Sequence, residues 1–284
     1  MEIQPHLSVL KVSGDDALSF LQGQLTNDIT VADKAWQLSA YCNPKGRALA
    51  LFNLWTNNGS AYLILHKSLT ESIVKRLRMY VMRSRVVIEI MEDASCVAIN
   101  DCQTESVLGG LTLSESYNEL SYHRSRLRVY FEQAPEAKSG SSWSQTLIDT
   151  GVPQISAETT ELFVPQMINL DVLGGINFKK GCYTGQEIVA RMHYLGKLKQ
   201  RMYLLDIVSE TDTSSSFMPG NKLISHEDKN LGTVVNRITD YNSVLAVLRV
   251  DESYQNLNDV TLSTNCGSIL KLRDPQPYSL SVNR

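Results

Sequence analysis

The segment between residues 48 and 66 constrains the fold more strongly than any other stretch of the chain. Two apolar runs, residues 48–55 and 61–66, flank Thr56-Asn57-Asn58-Gly59-Ser60. An Asn-Gly pair between two apolar runs is a strong signal for a tight β-hairpin. The fold must therefore accommodate at least one antiparallel pair of strands early in the chain.

Further strands and helices are predicted around this hairpin. Residues 7–12, 38–42, 86–90, 96–100 and 127–131 have strand patterns, whereas residues 17–24, 69–82 and 105–108 favour helices. This mixture predicts an α+β layer with helices on one face of a sheet. The polar, turn-rich residues 133–142 indicate a boundary, after which a helix starts at Trp143 and stops before Gly151-Val152-Pro153.

The last third of the chain has a different pattern. Short strands are predicted at residues 202–208, 222–225, 232–238, 243–250, 260–262 and 268–272. Several short strands at this spacing, separated by turns, are typical of a small antiparallel β-barrel.

Composition limits the possible functions. A chain of 284 residues suggests two or three domains, and its net charge of −3 argues against a general nucleic-acid binder. The N-terminus predicts no signal peptide, and no apolar run approaches the roughly 20 residues that cross a bilayer. Five cysteines without a C-x-x-C pair favour a reducing, cytoplasmic location and give no metal or cluster spacing. We expect no metal site, no membrane partner and no direct nucleic-acid partner.

The segment from residue 177 to 201 combines several chemical signals. Thr184 followed by Glu187 matches a capping box, which predicts a helix beginning at about Thr184. Cys182 would then lie beside the helix N-terminus, near Lys179 and Lys180, where a thiol is biased toward thiolate. Most free cysteines, however, are buried and inert, and that interpretation stays open for Cys182.

The run Lys179-Lys180-Gly181-Cys182-Tyr183-Thr184-Gly185-Gln186-Glu187 closely resembles the signature of the YgfZ-type folate-binding proteins. These are relatives of the glycine cleavage T-protein, an aminomethyltransferase, and they support iron–sulfur enzymes. The run Gln22-Gly23-Gln24-Leu25-Thr26-Asn27-Asp28 and the position of Trp143 ahead of a Gly-x-Pro also resemble this family.

The resemblance implies a fold and a domain division. It implies an α+β, three-domain, cloverleaf arrangement with ferredoxin-like α+β domains and a C-terminal antiparallel β-barrel. The expected domains are residues 1–47 together with 143–200 for folate binding, residues 48–142 for a ferredoxin-like domain, and residues 201–284 for the barrel.

The resemblance also implies a ligand and a set of site residues. Tetrahydrofolate, or a derivative, is the expected cofactor, and Cys182 is the expected reactive residue. The residues expected to bind the cofactor are Trp143, Lys180, Tyr183, Gln186, Glu187 and Arg191. Trp143 can stack on a pterin ring or can instead belong to the core.

The leading functional expectation is a tetrahydrofolate-binding accessory protein for iron–sulfur cluster assembly or repair. Its partners would be iron–sulfur assembly or client proteins, including enzymes that methylthiolate tRNA. The alternative is an aminomethyltransferase that moves a one-carbon unit from a small amine to tetrahydrofolate, although no transferase aspartate can be placed. A third possibility is an interaction module with a vestigial pocket, which would not bind folate.

Overall fold

The computed structural model describes most of the chain. The described residues are 1–33, 35–99, 106–123, 125–132, 134–196, 198–209, 217–225, 227, 229–239, 241–249, 261–263 and 268–278. Cys102, Cys266 and the serines at 214–216 lie outside them.

The described residues form 17 strands and four α-helices. The strands are β1 (Glu2–Ile3), β2 (Leu7–Ser13), β3 (Gln37–Cys42), β4 (Ala48–Asn57), β5 (Ser60–His66), β6 (Val87–Ile90), β7 (Ser95–Ile99), β8 (Ser106–Leu113), β9 (Tyr117–His123), β10 (Ser125–Tyr130), β11 (Lys138–Ser139), β12 (Gln200–Ser209), β13 (Lys222–Ile224), β14 (Asn230–Arg237), β15 (Ser243–Arg249), β16 (Thr261–Ser263) and β17 (Ile269–Leu272). The helices are α1 (Ala17–Gln22), α2 (Thr70–Val81), α3 (Ser142–Asp149) and α4 (Gln186–Tyr194).

The first sheet is built around the predicted hairpin. Its strand order is β3-β4-β5-β2-β6, and every neighbouring pair is antiparallel. Asn57 pairs with Ser60 across the turn, while Asn58 (φ 48°) and Gly59 (φ 74°) occupy the left-handed region. The hairpin prediction is confirmed, because these two residues tolerate that backbone conformation. Helices α1 and α2 contact this sheet.

The second sheet has the order β11-β1-β7-β10-β9-β8, with one parallel pair between β1 and β11. Here one prediction is wrong. Of the expected helix at residues 105–108, residue 105 lies outside the described residues, and residues 106–108 are instead the beginning of β8, which pairs with β9 from Ser106↔His123 to Leu113↔Asn118. Strand β9 was not predicted at all. Pairing with a neighbouring strand overrides the weak local preference of so short a segment.

The third sheet contains the C-terminal strands in the order β13-β14-β15-β12-β17-β16, all antiparallel. It curls into a half-barrel around its own cluster of buried side chains, which includes Tyr203, Phe217 and Leu270. The prediction of short antiparallel strands in this region is confirmed. Closure into a complete barrel stays a prediction.

The α+β class is therefore confirmed, and its strands form three sheets in the described part of the chain. The predicted division at residue 47 lies in the turn between β3 and β4 of one sheet, whereas the division at residue 200 coincides with the start of β12. The three-domain division and the ferredoxin-like description stay predictions. None of the helices within the described ranges is long and apolar enough to cross a membrane.

Polar contacts attach the third sheet to the rest of the molecule. Arg201 Nη1 and Nη2 donate to the carboxylate of Asp171 at 2.6 and 2.9 Å. Asn236 accepts from the backbone N–H of Gln154 and donates to its carbonyl, at 2.8 and 2.9 Å. Helix α3 contacts β7 and β10 of the second sheet and β15 of the third, so it lies where the two sheets meet.

The turn between β3 and β4 packs against the residue that precedes α4. Gly46 (φ 68°) and Gly185 (φ 82°) both lie in the left-handed region. A Cβ atom on Gly185 would lie 2.4 Å from the carbonyl oxygen of Asn43 and 3.0 Å from Cα of Gly46. The two backbones approach this closely only because neither glycine has a side chain.

Gly185→Ala should lower the free energy of unfolding by about 2 to 4 kcal/mol, because the new Cβ meets backbone and the residue has positive φ. Urea denaturation measures the change. The matched control is Gly181→Ala, since a Cβ atom there would meet nothing within 4 Å. We expect that control to stay within about 0.5 kcal/mol of the wild type. Equal stability of the two variants would contradict the close approach at Gly185.

Candidate functional site

Lys180 joins two segments that are far apart in the sequence. Its Nζ atom donates to the carbonyl oxygens of Gln22, Leu25 and Asn27 at 2.8, 2.7 and 2.8 Å. An ammonium group has three protons, so these three acceptors use its full donor capacity. The loop that follows α1 therefore closes around Lys180, and we call this arrangement the carbonyl cage.

Burial and a neighbouring charge have opposite effects on the pKa of Lys180 in the carbonyl cage. Burial lowers the pKa of the Lys180 ammonium to about 8, and the nearby Asp28 carboxylate opposes that decrease. The pKa of Asp28 is itself held below its usual value, chiefly by the hydroxyl of Thr30, with smaller contributions from Gln22 and Lys180. At neutral pH Lys180 remains an ammonium, the form that can donate to all three carbonyls.

Further hydrogen bonds reinforce the contact between the same two segments. Thr26 Oγ1 donates to the carbonyl of Gly175 at 2.7 Å, and Asn27 Nδ2 donates to that of Gly174 at 2.8 Å. The backbone N–H of Asn177 donates to the carbonyl of Thr26 at 3.0 Å. These hydrogen bonds fix residues 174–177, which lead into the Cys182 segment, to the loop that follows α1.

Cys182 itself faces solvent. Among the cysteines that the structure describes, Cys42 and Cys96 are buried and Cys182 is exposed. Burial raises the pKa of both the Cys42 and the Cys96 thiols to about 12, which keeps them protonated and inert. Cys182 is therefore the described thiol that can meet a reagent or a partner. Its thiolate character stays a prediction.

The start of α4 differs from the prediction. The helix begins at Gln186, and its N-cap is Gly185, with no side-chain cap hydrogen bond. The capping box of Thr184 and Glu187 is wrong, because the left-handed conformation of Gly185, imposed by its contact with Gly46, separates Thr184 from the first turn. Glu187 is exposed in that first turn, where the positive end of the helix dipole stabilises a carboxylate.

The other predicted site residues are spread around the carbonyl cage and α4. Tyr183 is buried, its ring lies 5.5 Å from Lys180 Nζ, and burial raises the pKa of its phenol. Gln186 is half-buried and Arg191 is exposed. His193, near the end of α4, stacks on Phe178 with ring centroids 3.7 Å apart. The helix is thereby fixed at both ends, and one side of it remains accessible.

Trp143 lies away from this exposed surface. It is fully buried in the core, and its indole N–H has no hydrogen-bond partner among the described residues. A small, partly open cavity beside α3 is lined by Leu7, His66 and Leu147, together with Asn53, whose Oδ1 also has no partner in the described part of the chain. Its volume is about 20 Å³, room for about one water molecule. A pterin ring does not fit this cavity in the present arrangement.

Sequence reasoning missed the central contact of the site. The run from Gln22 to Asp28 and the residue Lys180 were both noted, but their contact spans more than 150 positions. No local pattern indicates that a lysine will be capped by backbone carbonyls. Within the described ranges, no group of three or more His, Cys, Asp or Glu side chains is arranged to hold a metal ion.

Comparison with known proteins first defines the class. No family model matches the chain. The aminomethyltransferase T of the glycine cleavage system from Bartonella henselae superposes with a TM-score of 0.67, covering 96% of this chain and 84% of its own, at 12% identity. The protein therefore has the fold of the T-protein aminomethyltransferases.

Relatives in sequence define the family more closely. The "tRNA-modifying protein YgfZ" of Vibrio atlanticus is 33% identical over 215 residues, covering 70% of this chain and 67% of its own. Its counterpart in Colwellia psychrerythraea is 29% identical over 277 residues and covers 85% of both chains. The chain belongs to the YgfZ family.

Lys180→Met should lower the free energy of unfolding by about 2 to 4 kcal/mol, because three carbonyl oxygens lose a charged donor. Thermal unfolding followed by circular dichroism measures this change. The matched control is Lys179→Met, which alters the exposed neighbouring residue and should cost less than about 0.5 kcal/mol. If the two variants unfold alike, the carbonyl cage contributes nothing to stability.

Proposed function

We propose that this protein binds tetrahydrofolate and supports iron–sulfur enzymes, including those that methylthiolate tRNA, with Cys182 as its reactive thiol. The observation that carries this proposal is the exposure of Cys182 on a segment fixed by the carbonyl cage. The names of its YgfZ relatives, which are called tRNA-modifying, support the link to tRNA. The free thiols of the described cysteines fit the expected cytoplasmic location.

The geometry accounts for how Cys182 would act. A nucleophile or transient ligand must be accessible and must be held in one place. Exposure provides the access, while Lys180 and the hydrogen bonds at Gly174 and Gly175 hold the backbone that precedes it. Lys180 is a positioning residue in this proposal, because its ammonium is engaged by carbonyls and is not free to contact a ligand.

Cys182→Ala should abolish this support. In bacteria that lack their own YgfZ family member, the variant should lower methylthiolated nucleosides in tRNA at least about tenfold relative to the wild-type chain, since no other described thiol is accessible. Mass spectrometry of digested tRNA measures the nucleosides. Cys96→Val, a buried change of similar volume, is the control and should retain function at equal protein levels. Wild-type levels in Cys182→Ala would remove the thiol from the mechanism.

Folate binding is proposed to open the region around Trp143. The shared fold supports it, and so do two buried polar atoms without a partner among the described residues, the N–H of Trp143 on α3 and Oδ1 of Asn53 in the cavity beside α3, because a heterocycle offers donors and acceptors. Because the cavity beside α3 is too small for a pterin, α3 or its neighbours must move on binding.

Tetrahydrofolate, titrated without oxygen, should change the intrinsic tryptophan fluorescence in a saturable manner. Trp143→Phe should weaken binding by about tenfold, because the larger indole face and its N–H are lost. Trp55→Phe is the matched control, since Trp55 is equally buried and its N–H also has no partner among the described residues, but its ring stacks on Tyr62 within the first sheet. Absence of saturable binding to the wild-type protein would favour the interaction-module alternative.

A second candidate function is aminomethyl transfer, favoured by the shared fold with aminomethyltransferase T. In this case purified protein, tetrahydrofolate and an aminomethyl donor would give sustained turnover. Turnover that persists in Cys182→Ala would establish that the protein is an aminomethyltransferase. No turnover by the wild-type protein, together with loss of tRNA modification in Cys182→Ala, would support the accessory function.

A further inference from the structure

Two adjoining clefts lie beside the β3–β4 turn, and they share no lining residue with the cavity beside α3. The basic cleft has a volume of about 490 Å³ and is lined by Asn43, Pro44, Lys45, Arg47, Arg76 and Glu161. The mainly apolar cleft, about 390 Å³ and called the apolar cleft below, shares Arg76 and Glu161 with it; its other lining residues are Leu49, Ser72, Ile73, Lys75, Met79 and Thr160. The two shared residues therefore lie between a cationic end and an apolar end.

The cations of this region have no carboxylate partner in the described part of the chain. Lys45, Arg47, Lys75 and Arg76 line one or both clefts, and none of them belongs to an ion pair between described residues. Glu161 is the one acidic lining residue of the two clefts, so their local charge is +3 in a chain whose overall charge is −3. Such a local excess of positive charge attracts an anion.

One guanidinium group of the basic cleft, that of Arg47, is held by a hydrogen bond, and the other, that of Arg76, lies beside a buried tyrosine. Arg47 Nη1 donates to the carbonyl of Leu162, which fixes its side chain along the wall. Arg76 lies against the fully buried phenol of Tyr41; burial raises the pKa of that phenol to about 12, and Arg76 opposes the rise. The Nε–H of Arg76 is buried and has no acceptor among the described residues. Preorganised guanidinium groups bind phosphate oxygens well.

Glu161 is held in a conformation that a non-glycine residue rarely adopts. Its φ is 62°, and its backbone N–H donates to the carbonyl of Ala48 at 2.9 Å. The neighbouring Thr160 Oγ1 donates to the carbonyl of Leu49, also at 2.9 Å. This strained backbone keeps a carboxylate between the two clefts, and such strain is concentrated at sites that contact ligands.

The succession of cations, a carboxylate and apolar side chains along the two clefts points to one class of ligand. Cations suit a phosphate, a carboxylate accepts hydrogen bonds from sugar hydroxyls, and the side chains of Leu49, Ile73 and Met79 suit the face of a flat ring. We propose that the joined clefts bind a nucleotide unit, with its phosphate in the basic cleft, its sugar at Glu161 and its base in the apolar cleft. The unit is either a free nucleotide or a nucleotide of an RNA strand. This site goes beyond the proposed thiol function, and neither depends on the other.

The test uses the full chain with AMP, UMP and adenosine in titration calorimetry, at an ionic strength of about 50 mM so that screening is weak. AMP and UMP should bind, and adenosine should bind at least about tenfold more weakly, because it has no phosphate for the cations to contact. Lys45→Glu, which replaces an exposed residue of the basic cleft, should weaken AMP binding at least about tenfold. Lys222→Glu makes the same charge change on the third sheet and should alter affinity less than about twofold.

A second variant, Glu161→Ala, separates nucleotide binding from simple attraction of anions. Removing the carboxylate should strengthen the binding of inorganic phosphate, which the carboxylate repels, and should weaken the binding of AMP, because the sugar hydroxyls lose the acceptor for their hydrogen bonds. A short single-stranded RNA, followed by fluorescence anisotropy, distinguishes the two sources. If the RNA binds, is displaced by AMP and no longer binds to Lys45→Glu, the site is assigned to RNA. If AMP binds and the RNA does not, the site is assigned to a free nucleotide.

Three results would overturn the proposal: no AMP binding at millimolar concentration, AMP binding unchanged in Lys45→Glu, or equal affinity for AMP and adenosine. Circular dichroism of each variant confirms that it is folded. Methylthiolated tRNA in cells carrying Cys182→Ala reports on the thiol alone, so failure of one proposal is distinguishable from failure of the other.

Discussion

The organisation of this protein depends on one ammonium group surrounded by backbone carbonyls. Lys180 reaches from the segment before α4 to the loop after α1 and there satisfies three acceptors at once. The carbonyl oxygen of Gln22 at the end of α1 and those of Leu25 and Asn27 in the following loop need donors, and a lysine from a distant part of the chain supplies them. The same contact fixes the backbone two residues before Cys182. Stability and the placement of the thiol therefore come from one interaction.

Glycine contacts provide the second constraint on the same region. Gly46 and Gly185 allow the β3–β4 turn to touch the backbone that precedes α4, and this contact sets where the helix begins. It also joins two surfaces of different chemistry, because one side of the turn faces the Cys182 segment and the other carries Lys45 and Arg47 into the basic cleft. A chain that is acidic overall can present a cationic cleft because the fold gathers cations from α2 and from this turn.

Local patterns predicted much of the fold. The hairpin at Asn58-Gly59 and β2 were placed within two residues, because each depends on turn chemistry and alternation within one short stretch. Strand β9 and the start of β8 were not recognised, since those residues become strands only by pairing with each other. The start of α4 was placed two residues early because a capping pattern cannot reveal that Gly185 touches a distant turn.

The sequence by itself determined the α+β character and the family signature around Cys182, because both depend on patterns among neighbouring residues. Tertiary structure alone decided that Cys182 is exposed while Cys42 and Cys96 are buried, that Trp143 lies in the core, and that Lys180 is enclosed by carbonyls. Burial and hydrogen bonding between distant segments depend on how sheets and loops pack, and no short stretch of sequence contains that information.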